Sequence, residues 1–367
     1  MIKNSNQKKV LYITVRADYG GGPKHLYQLS SSLSSNFNKY FACPKEFPYF
    51  EKYRNLVGSN NIIEVPHRKF SFLTLLEIRK FIKKNNINFI HSHGKGAGIY
   101  SRILVVITKI DCIHTFHGIH IGQYNFIKKF LYIELERILT HFTKYIVAVS
   151  KSEAQQLVQN KIANEDKIKV IENGVAVPEK KITNSYLNEN KFDFISFSRF
   201  DYAKNSELLI DIFTELQKLT DINNFHINIL GNGENLENIK RAVQSKFANN
   251  FHFYGNVDNP KEYLKKSFCY ISTSRWEGLP LGILEAMSFG LPVIATKVVG
   301  NTDLIKHDKN GFLFNIKSPK VAAEFMVQLT KDSDIWEKFS MNNYLKVKNN
   351  FSLGKMVRET ENLYNLL

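Results

Sequence analysis

The chain has 367 residues and a mass of 42.5 kDa, which at roughly 100–200 residues per domain predicts two domains, each with its own core. Its 50 Lys plus Arg against 34 Asp plus Glu leave a formal charge of +16, while 43% apolar and 13% aromatic content excludes a disordered chain. Three cysteines, Cys43, Cys112 and Cys269, lie far apart with no C-x-x-C pair, which excludes a disulfide scaffold or zinc ribbon and makes a reducing cytosol the expected compartment.

Residues 1–9 are polar and basic, and the apolar run 10–15 is too soon interrupted by Arg16 to be a signal-peptide core, so it reads as the first strand. Further strands are predicted at 40–43, 62–65, 88–92, 112–116, 145–149 and 168–171. Residues 172–190 lack an apolar period and carry Asn173-Gly174 and Pro178, so this stretch reads as a linker, with the domain boundary placed at 179–190. A second series of strands follows at 194–197, 226–230, 251–254, 269–272, 293–296 and 312–314. Helical spacing marks 73–84, 126–142 and 206–219, and the tail 355–367 reads as a final helix with Met356, Leu363 and Leu366 as its apolar positions. Alternating strands and helices predict βαβ units in parallel sheets, hence an α/β chain of two doubly wound domains, 1–178 and 191–350, with 351–367 as a C-terminal helix. No stretch approaches the roughly 20 apolar residues of a membrane span; 103–107 and 145–149 are strand-sized or single-turn pieces.

The basic balance fits nucleic acid, anionic lipid or phosphorylated small molecules. With no basic recognition helix, C2H2 spacing or RNP-like strand, no nucleic acid partner is expected.

The most informative segment runs from Arg275 to Thr296: a Gly/Pro loop, a short helix from about Leu281, Gly290 as its stop, and a buried strand. Glu277 precedes the loop and Glu285 lies in the helix, whose N-terminal amides can hold a phosphate. Nucleotide sugars need that combination; on spacing alone, two solvated helix glutamates remain an alternative. Arg199 and Lys204 follow the first strand of the second domain, where doubly wound sheets place a ligand crevice, and could neutralise a diphosphate, or be surface cations. The glycines 20–22 could bring amides to a phosphate or acceptor, or form a tight turn. The segment Gly231-Asn232-Gly233 opens like a dinucleotide fingerprint, but Leu236 occupies the third glycine position and no acid closes a following strand, so NAD is excluded and no cofactor is expected. His91 and His93 are expected to face opposite sides of a strand, making a poor metal pair, whereas His117 before Gly118 suits a pocket. The Asp332-x-Asp334 pair reads as the cap of a late helix, and no metal is assigned.

Glu277-x7-Glu285 followed by the strand ending at Thr296 resembles the signature of family 4 retaining glycosyltransferases of the GT-B fold. Arg199-x4-Lys204 resembles that family's basic element, 230–234 its glycine turn and 253–257 its base-side loop. Gly20-Gly21-Gly22-Pro23-x-His25, His91-x-His93-Gly94-Lys95 and Thr115-x-His117-Gly118 look like the corresponding N-terminal loops, and Val149-Ser150 and Asn173-Gly174 match in position. The resemblance covers nearly the whole chain. It implies two Rossmann-like domains facing across a cleft, the acceptor on the first and a nucleotide-diphosphate sugar on the second. His117, Arg199, Lys204 and Glu277 form the implied catalytic set. The implied donor-binding set is Gly21, Gly22, Gly231, Gly233, Asn256, Val257, Gly278, Leu279, Pro280, Leu281, Gly282, Ile283, Leu284 and Glu285. Glu285 would hold the ribose, Glu277 the sugar hydroxyls, and His117 the sugar near C6 and the anomeric centre. The implied reaction is metal-independent transfer, with retention, of a hexose or N-acetylhexosamine from a UDP-sugar to a glycan or lipid-linked acceptor in capsule, lipopolysaccharide or other surface-glycan synthesis. An epimerase, a phosphorylase or a non-catalytic sugar-nucleotide binder are the alternatives. The mixed basic and aromatic stretch 126–139 could dock weakly on an anionic membrane, or bury its stripe on the first sheet.

Overall fold

The computed structural model describes residues 7–119, 122, 124–182 and 191–367. The chain divides into two compact units, Met1–Asn173 with Leu353–Leu367, and Gly174–Ser352. Residues 183–190 of the stretch expected as a linker lie outside the described residues, and 174–182 belong to the second unit.

In the first unit the strands are β1 (Lys8–Thr14), β2 (Phe37–Cys43), β3 (Ile62–Glu64), β4 (Phe89–His93), β5 (Asp111–Thr115), β6 (Tyr145–Ala148) and β7 (Ile168–Val170). They pair in parallel in the order β3-β2-β1-β4-β5-β6-β7. The helices between them are α1 (Gly21–Ser32), α2 (Tyr49–Val57), α3 (Phe72–Asn85), α4 (Lys95–Thr108), α5 (Phe126–Thr140) and α6 (Lys151–Gln159). Period-two alternation explains why both faces are covered. Val10 and Tyr12 pack with Leu26 and Leu29 of α1 and Tyr53 of α2, while Leu11 and Ile13 pack with Ile78 of α3 and Tyr100 and Leu104 of α4. Local chemistry sets helix ends: the Ser71 side chain caps α3 by accepting from Thr74 N, and Asn86 closes it in the left-handed region at φ 52°.

The second unit repeats the plan with β8 (Phe192–Phe197), β9 (Phe225–Leu230), β10 (Phe251–Gly255), β11 (Cys269–Ser272), β12 (Val293–Thr296) and β13 (Phe312–Phe314), ordered β10-β9-β8-β11-β12-β13. Its helices are α7 (Leu208–Leu216), α8 (Leu236–Gln244), α9 (Lys261–Lys265), α10 (Leu281–Ser288), α11 (Asn301–Leu304), α12 (Pro319–Lys331) and α13 (Ser333–Asn350). Asp332 caps α13, accepting from Ile335 N at 2.9 Å.

The last helix, α14 (Leu353–Asn365), belongs to the first unit. Met356 and Leu363 are buried in its core, but Leu366 is 63% exposed. The expected apolar role of Leu366 fails because the inward face follows positions 356, 360, 363 and 364, and Leu366 falls outside that stripe. Tyr364 is the anchor instead: fully buried, it meets Tyr12 Oη at 3.1 Å and His91 Nδ1 at 2.6 Å.

Part of the apolar surface of α5 faces solvent. Only Glu136, Leu139 and Thr140 are buried there, while Phe126, Ile127, Phe130, Leu131, Leu135 and Ile138 are exposed. A different face does pack on the sheet: Tyr132 and Ile133 lie against Phe116 and against Ile146 and Ala148 of β6, so the helix both buries one apolar face and leaves another open. A buried Arg102–Glu136 ion pair at 3.2 Å ties α5 to α4.

Candidate active site

In the second unit, β8 and β11 are hydrogen-bonded neighbours, but the chain leaves β8 toward β9 and β11 toward β12. Loops beyond such a reversal splay apart and leave a crevice at the strands' carboxyl ends. The loop after β8 carries Arg199 and Lys204; the loop after β11 carries Glu277 and enters α10. Lys204 Nζ donates to Glu277 Oε1 at 2.5 Å, and the Ser274 hydroxyl donates to the same oxygen at 2.7 Å. Burial by itself would push the Glu277 carboxyl up. The Lys204 charge and hydrogen bond, Ser274 and the Arg199 charge together outweigh it and hold the group below the usual carboxylate range. Arg199 pairs with Asp201 at 2.9 Å, while its Nε is buried without a hydrogen-bond partner among the described residues. Arg275 locks the two loops together, donating from its backbone N to Ala203 O at 2.8 Å and from Nη2 to Asn205 Oδ1 at 2.5 Å.

Beside this cluster α10 begins with Pro280 at its N-cap, no side-chain cap and no acid in its first turn, so its positive dipole end is not neutralised by a side chain of its own. The side chains of Leu279, Leu281, Ile283 and Leu284 are buried. These positions can therefore offer only backbone to a ligand, and Pro280 offers no N–H. Gly278 is buried, and Glu285 is half-buried inside α10. Gly282 has a packing reason: a Cβ there would stand 2.5 Å from Tyr270 Oη. So do Gly231 and Gly233, where a Cβ would lie 1.8 Å from Ser198 O and 1.6 Å from Arg199 O. The turn after β9 thus backs directly onto the Arg199 loop. Asn256 is exposed and Val257 half-buried after β10. Gly300, which the sequence reading missed, supports Glu277 from behind, since a Cβ would be 2.7 Å from Glu277 Cβ. A pocket of about 340 Å³ lined by Asp201, Asn205, Glu207, Glu234 and Arg275 among others contains none of the predicted donor residues.

The first unit has the same reversal between β1 and β4. Gly21 is exposed at the start of α1, which has no side-chain cap, and the space beside Gly22 is open. His25 of α1, His91 and His93 of β4 and His117 after β5 come together there. His91 and His93 share one face, with ring centroids 4.2 Å apart. The expectation of opposite faces is corrected by the strand period of two, which puts residues i and i+2 on the same side. His91 Nε2 meets Thr115 Oγ1 at 2.8 Å, and His93 Nδ1 meets His117 Nε2 at 3.0 Å. Burial pushes the imidazoles down, to about 4 for His25, about 3 for His91 and well below the usual range for His93, so these three are neutral near pH 7.

His117 has φ 60°, a left-handed conformation uncommon for a residue with a Cβ. Buried Glu153 braces it: its carboxylate accepts from the next amide, Gly118 N, and from Val149 N at 2.6 Å. Glu153 occupies the third position of α6, and Ser150 Oγ accepts its N–H at 3.0 Å. The sequence reading missed this residue, although Ser150-x-x-Glu153 is a capping-box spacing that could have marked it.

Two family models cover consecutive parts of the chain: "Glycosyltransferase Family 4" matches residues 19–177 and "Glycosyl transferases group 1" matches residues 177–346. The chain belongs to the family 4 glycosyltransferases. Among relatives of this glycosyltransferase, the Escherichia coli O-antigen biosynthesis glycosyltransferase WbnH is 28% identical over 307 residues, spanning 83% of this chain and 86% of WbnH. A UDP-Gal:alpha-D-GlcNAc-diphosphoundecaprenol alpha-1,3-galactosyltransferase of Escherichia coli is 27% identical, covering 79% of this chain and 78% of its own. Among solved structures, Anabaena Alr3699/HepE in complex with UDP and glucose superposes with a TM-score of 0.85 at 16% identity, covering 98% of this chain and 100% of HepE. The fold is GT-B.

In this glycosyltransferase the second unit joins Arg199, Lys204 and Glu277 in one charged cluster beside the α10 N-terminus, and the first unit places His117 in a separate histidine cluster. Cations next to an amide-rich helix start can stabilise charge developing on a diphosphate leaving group. A carboxylate fixed by Lys204 and Ser274 can orient sugar hydroxyls.

Proposed function

We propose that the glycosyltransferase moves a hexose or N-acetylhexosamine from a UDP-sugar to a hydroxyl of a glycan or lipid-linked acceptor during surface-polysaccharide synthesis, with retention at C1 and without a divalent metal. The observation that carries this reading is the Lys204–Glu277–Ser274 cluster at the β8/β11 reversal, beside Arg199 and the start of α10. The O-antigen role named for WbnH, the UDP-galactose donor named for the second relative and the UDP bound to HepE support the donor and the pathway class.

In the step itself the bond from C1 to the β-phosphate oxygen breaks and a bond from C1 to the acceptor oxygen forms on the same face. The acceptor proton passes to the departing phosphate. Arg199 and Lys204 carry the charge that develops on that phosphate, and the α10 amides add to it. Glu285 holds the ribose, Glu277 the sugar hydroxyls, and His117 the sugar near its anomeric centre. Gly21 and Gly22, Gly231 and Gly233, and Asn256 with Val257 serve as backbone or base-side contacts. Metal independence rests on these cations and on Asp332-x-Asp334 being used as a helix cap.

The exposed α5 stripe, with Lys128 and Lys129 beside Phe126, Ile127 and Phe130, fits shallow docking on an anionic bilayer. A lipid-linked acceptor would be met there.

A thermal-shift screen of UDP, GDP, ADP and CMP sugars tests the donor assignment. A ligand at 100 times its dissociation constant adds about 2.7 kcal/mol of stability. A shift with UDP-sugars is expected; no shift with any nucleotide sugar overturns it.

A further inference from the structure

His25, His93 and His117 each offer a ring nitrogen, and these three atoms all lie within 4.8 Å of one another. They come from three separate elements, α1, β4 and the loop after β5, at the β1/β4 reversal. The three rings are in mutual contact: centroids stand 4.7 Å apart for His25 and His117, 5.3 Å for His93 and His117, and 5.7 Å for His25 and His93. His25 Nδ1 is buried and finds no hydrogen-bond partner among the described residues. A buried ring nitrogen left unsatisfied is costly, so a purely structural cluster explains it poorly.

We propose that His25, His93 and His117 form a binding site for a zinc-class transition-metal ion, held by three imidazole nitrogens with a fourth position open. Two nitrogens on one tetrahedral zinc, each about 2.0–2.1 Å from the ion, stand about 3.3–3.4 Å apart. The His93 Nδ1 to His117 Nε2 separation of 3.0 Å is already close to this, and the third nitrogen needs a side-chain adjustment of about an ångström. That His93–His117 contact holds one shared N–H. Both lone pairs become available when the tautomer moves that proton to the other nitrogen of its own ring, so no net proton need be lost. An all-nitrogen set selects Zn2+, Co2+, Ni2+ or Cu2+ and not Mg2+ or Ca2+, which take oxygen ligands. One consequence rests on the donor role proposed for His117: an ion that takes its nitrogen withdraws it from the sugar, so zinc inhibits transfer.

The test uses the full chain, stripped with chelator and free of nucleotide. Zn2+ is titrated by calorimetry, Co2+ by its visible absorption, and the zinc-loaded chain is examined by X-ray absorption. One ion per chain with three imidazole ligands is expected. In His25→Gln the affinity falls by more than the roughly 10- to 100-fold that loss of an outer-shell partner costs. Equal affinity in parent and His25→Gln overturns the site, as does zinc held instead by the surface pair His226 and His252, whose ring nitrogens are 3.5 Å apart. No stoichiometric binding by the parent overturns it as well. If His25→Gln does not fold, the imidazole count in the parent decides: fewer than three refutes the site. Zinc that binds as expected without slowing transfer leaves the metal site standing and removes the donor role of His117. UDP-sugar binding measured on zinc-free chain is decided separately.

Discussion

Replacing the two glutamates separates nucleotide binding from sugar positioning. Glu277 accepts from Lys204 at 2.5 Å and Ser274 at 2.7 Å, and its side chain and that of Lys204 are only 15% and 23% exposed. A hydrogen bond to a charged group is worth about 1.5–3 kcal/mol, or about 10- to 150-fold in a rate or equilibrium. If Glu277 orients sugar hydroxyls, Glu277→Ala lowers turnover with saturating donor by that factor. Affinity for UDP stays the same or tightens slightly, because the freed Lys204 then belongs wholly to the diphosphate. If Glu285 holds the ribose, Glu285→Ala weakens UDP and intact donor alike, again by about 10- to 150-fold. Calorimetric titration with UDP beside initial rates gives both quantities, and a melting curve for each variant shows that the fold survives loss of the partly buried ion pair. Loss of UDP binding in Glu277→Ala with retention in Glu285→Ala reverses the assignment. Two variants that transfer sugar like the parent refute it.

Transfer is expected to proceed undiminished in EDTA; activity abolished by chelation and restored by Mn2+ or Mg2+ contradicts the cationic mechanism. Liposome flotation should show binding to anionic vesicles that weakens steeply with salt, as a Debye length of about 10 Å at 0.1 M requires, and Phe130→Ser with Leu131→Ser should reduce it; no flotation of the parent at low salt removes the membrane reading. Acid should destabilise the fold early. His25 and His91 hold folded-state values of about 4 and about 3 against an ordinary 6.5, so the unfolded chain takes up more protons as pH falls. Their stabilising contribution is complete above about pH 6.5 and is lost toward pH 4 and below, at about 1.4 kcal/mol per pH unit for each histidine. Urea midpoints at pH 7.5 and pH 5 measure this, and equal midpoints contradict it.

Much of the fold was legible in order because many strands are short runs rich in β-branched and aromatic residues, and central ones such as 10–15 and 293–296 are buried on both faces, so such runs need no partner to be recognised. Helices α3, α5 and α7 were legible from one-sided apolar spacing. By contrast, α4 begins Lys95-Gly96-Ala97-Gly98 and turns apolar on several sides, and α1 opens with two glycines, so neither shows a clear period. Arg199, Lys204, Glu277 and Glu285 were nameable from the sequence because motif spacing is local to each loop. That Lys204 and Glu277 bond was not, since they are 73 positions apart and meet only because β11 pairs with β8 out of chain order. In the first unit the out-of-order pairing of β1 with β4 brings His25 to His93 and His117, and Glu153 of α6 braces the His117 loop across the neighbouring strands β5 and β6. The face presented by α5 was also undecidable beforehand: an apolar stripe has the same sequence whether protein or something else covers it, and only the packing of the neighbouring helices leaves it open.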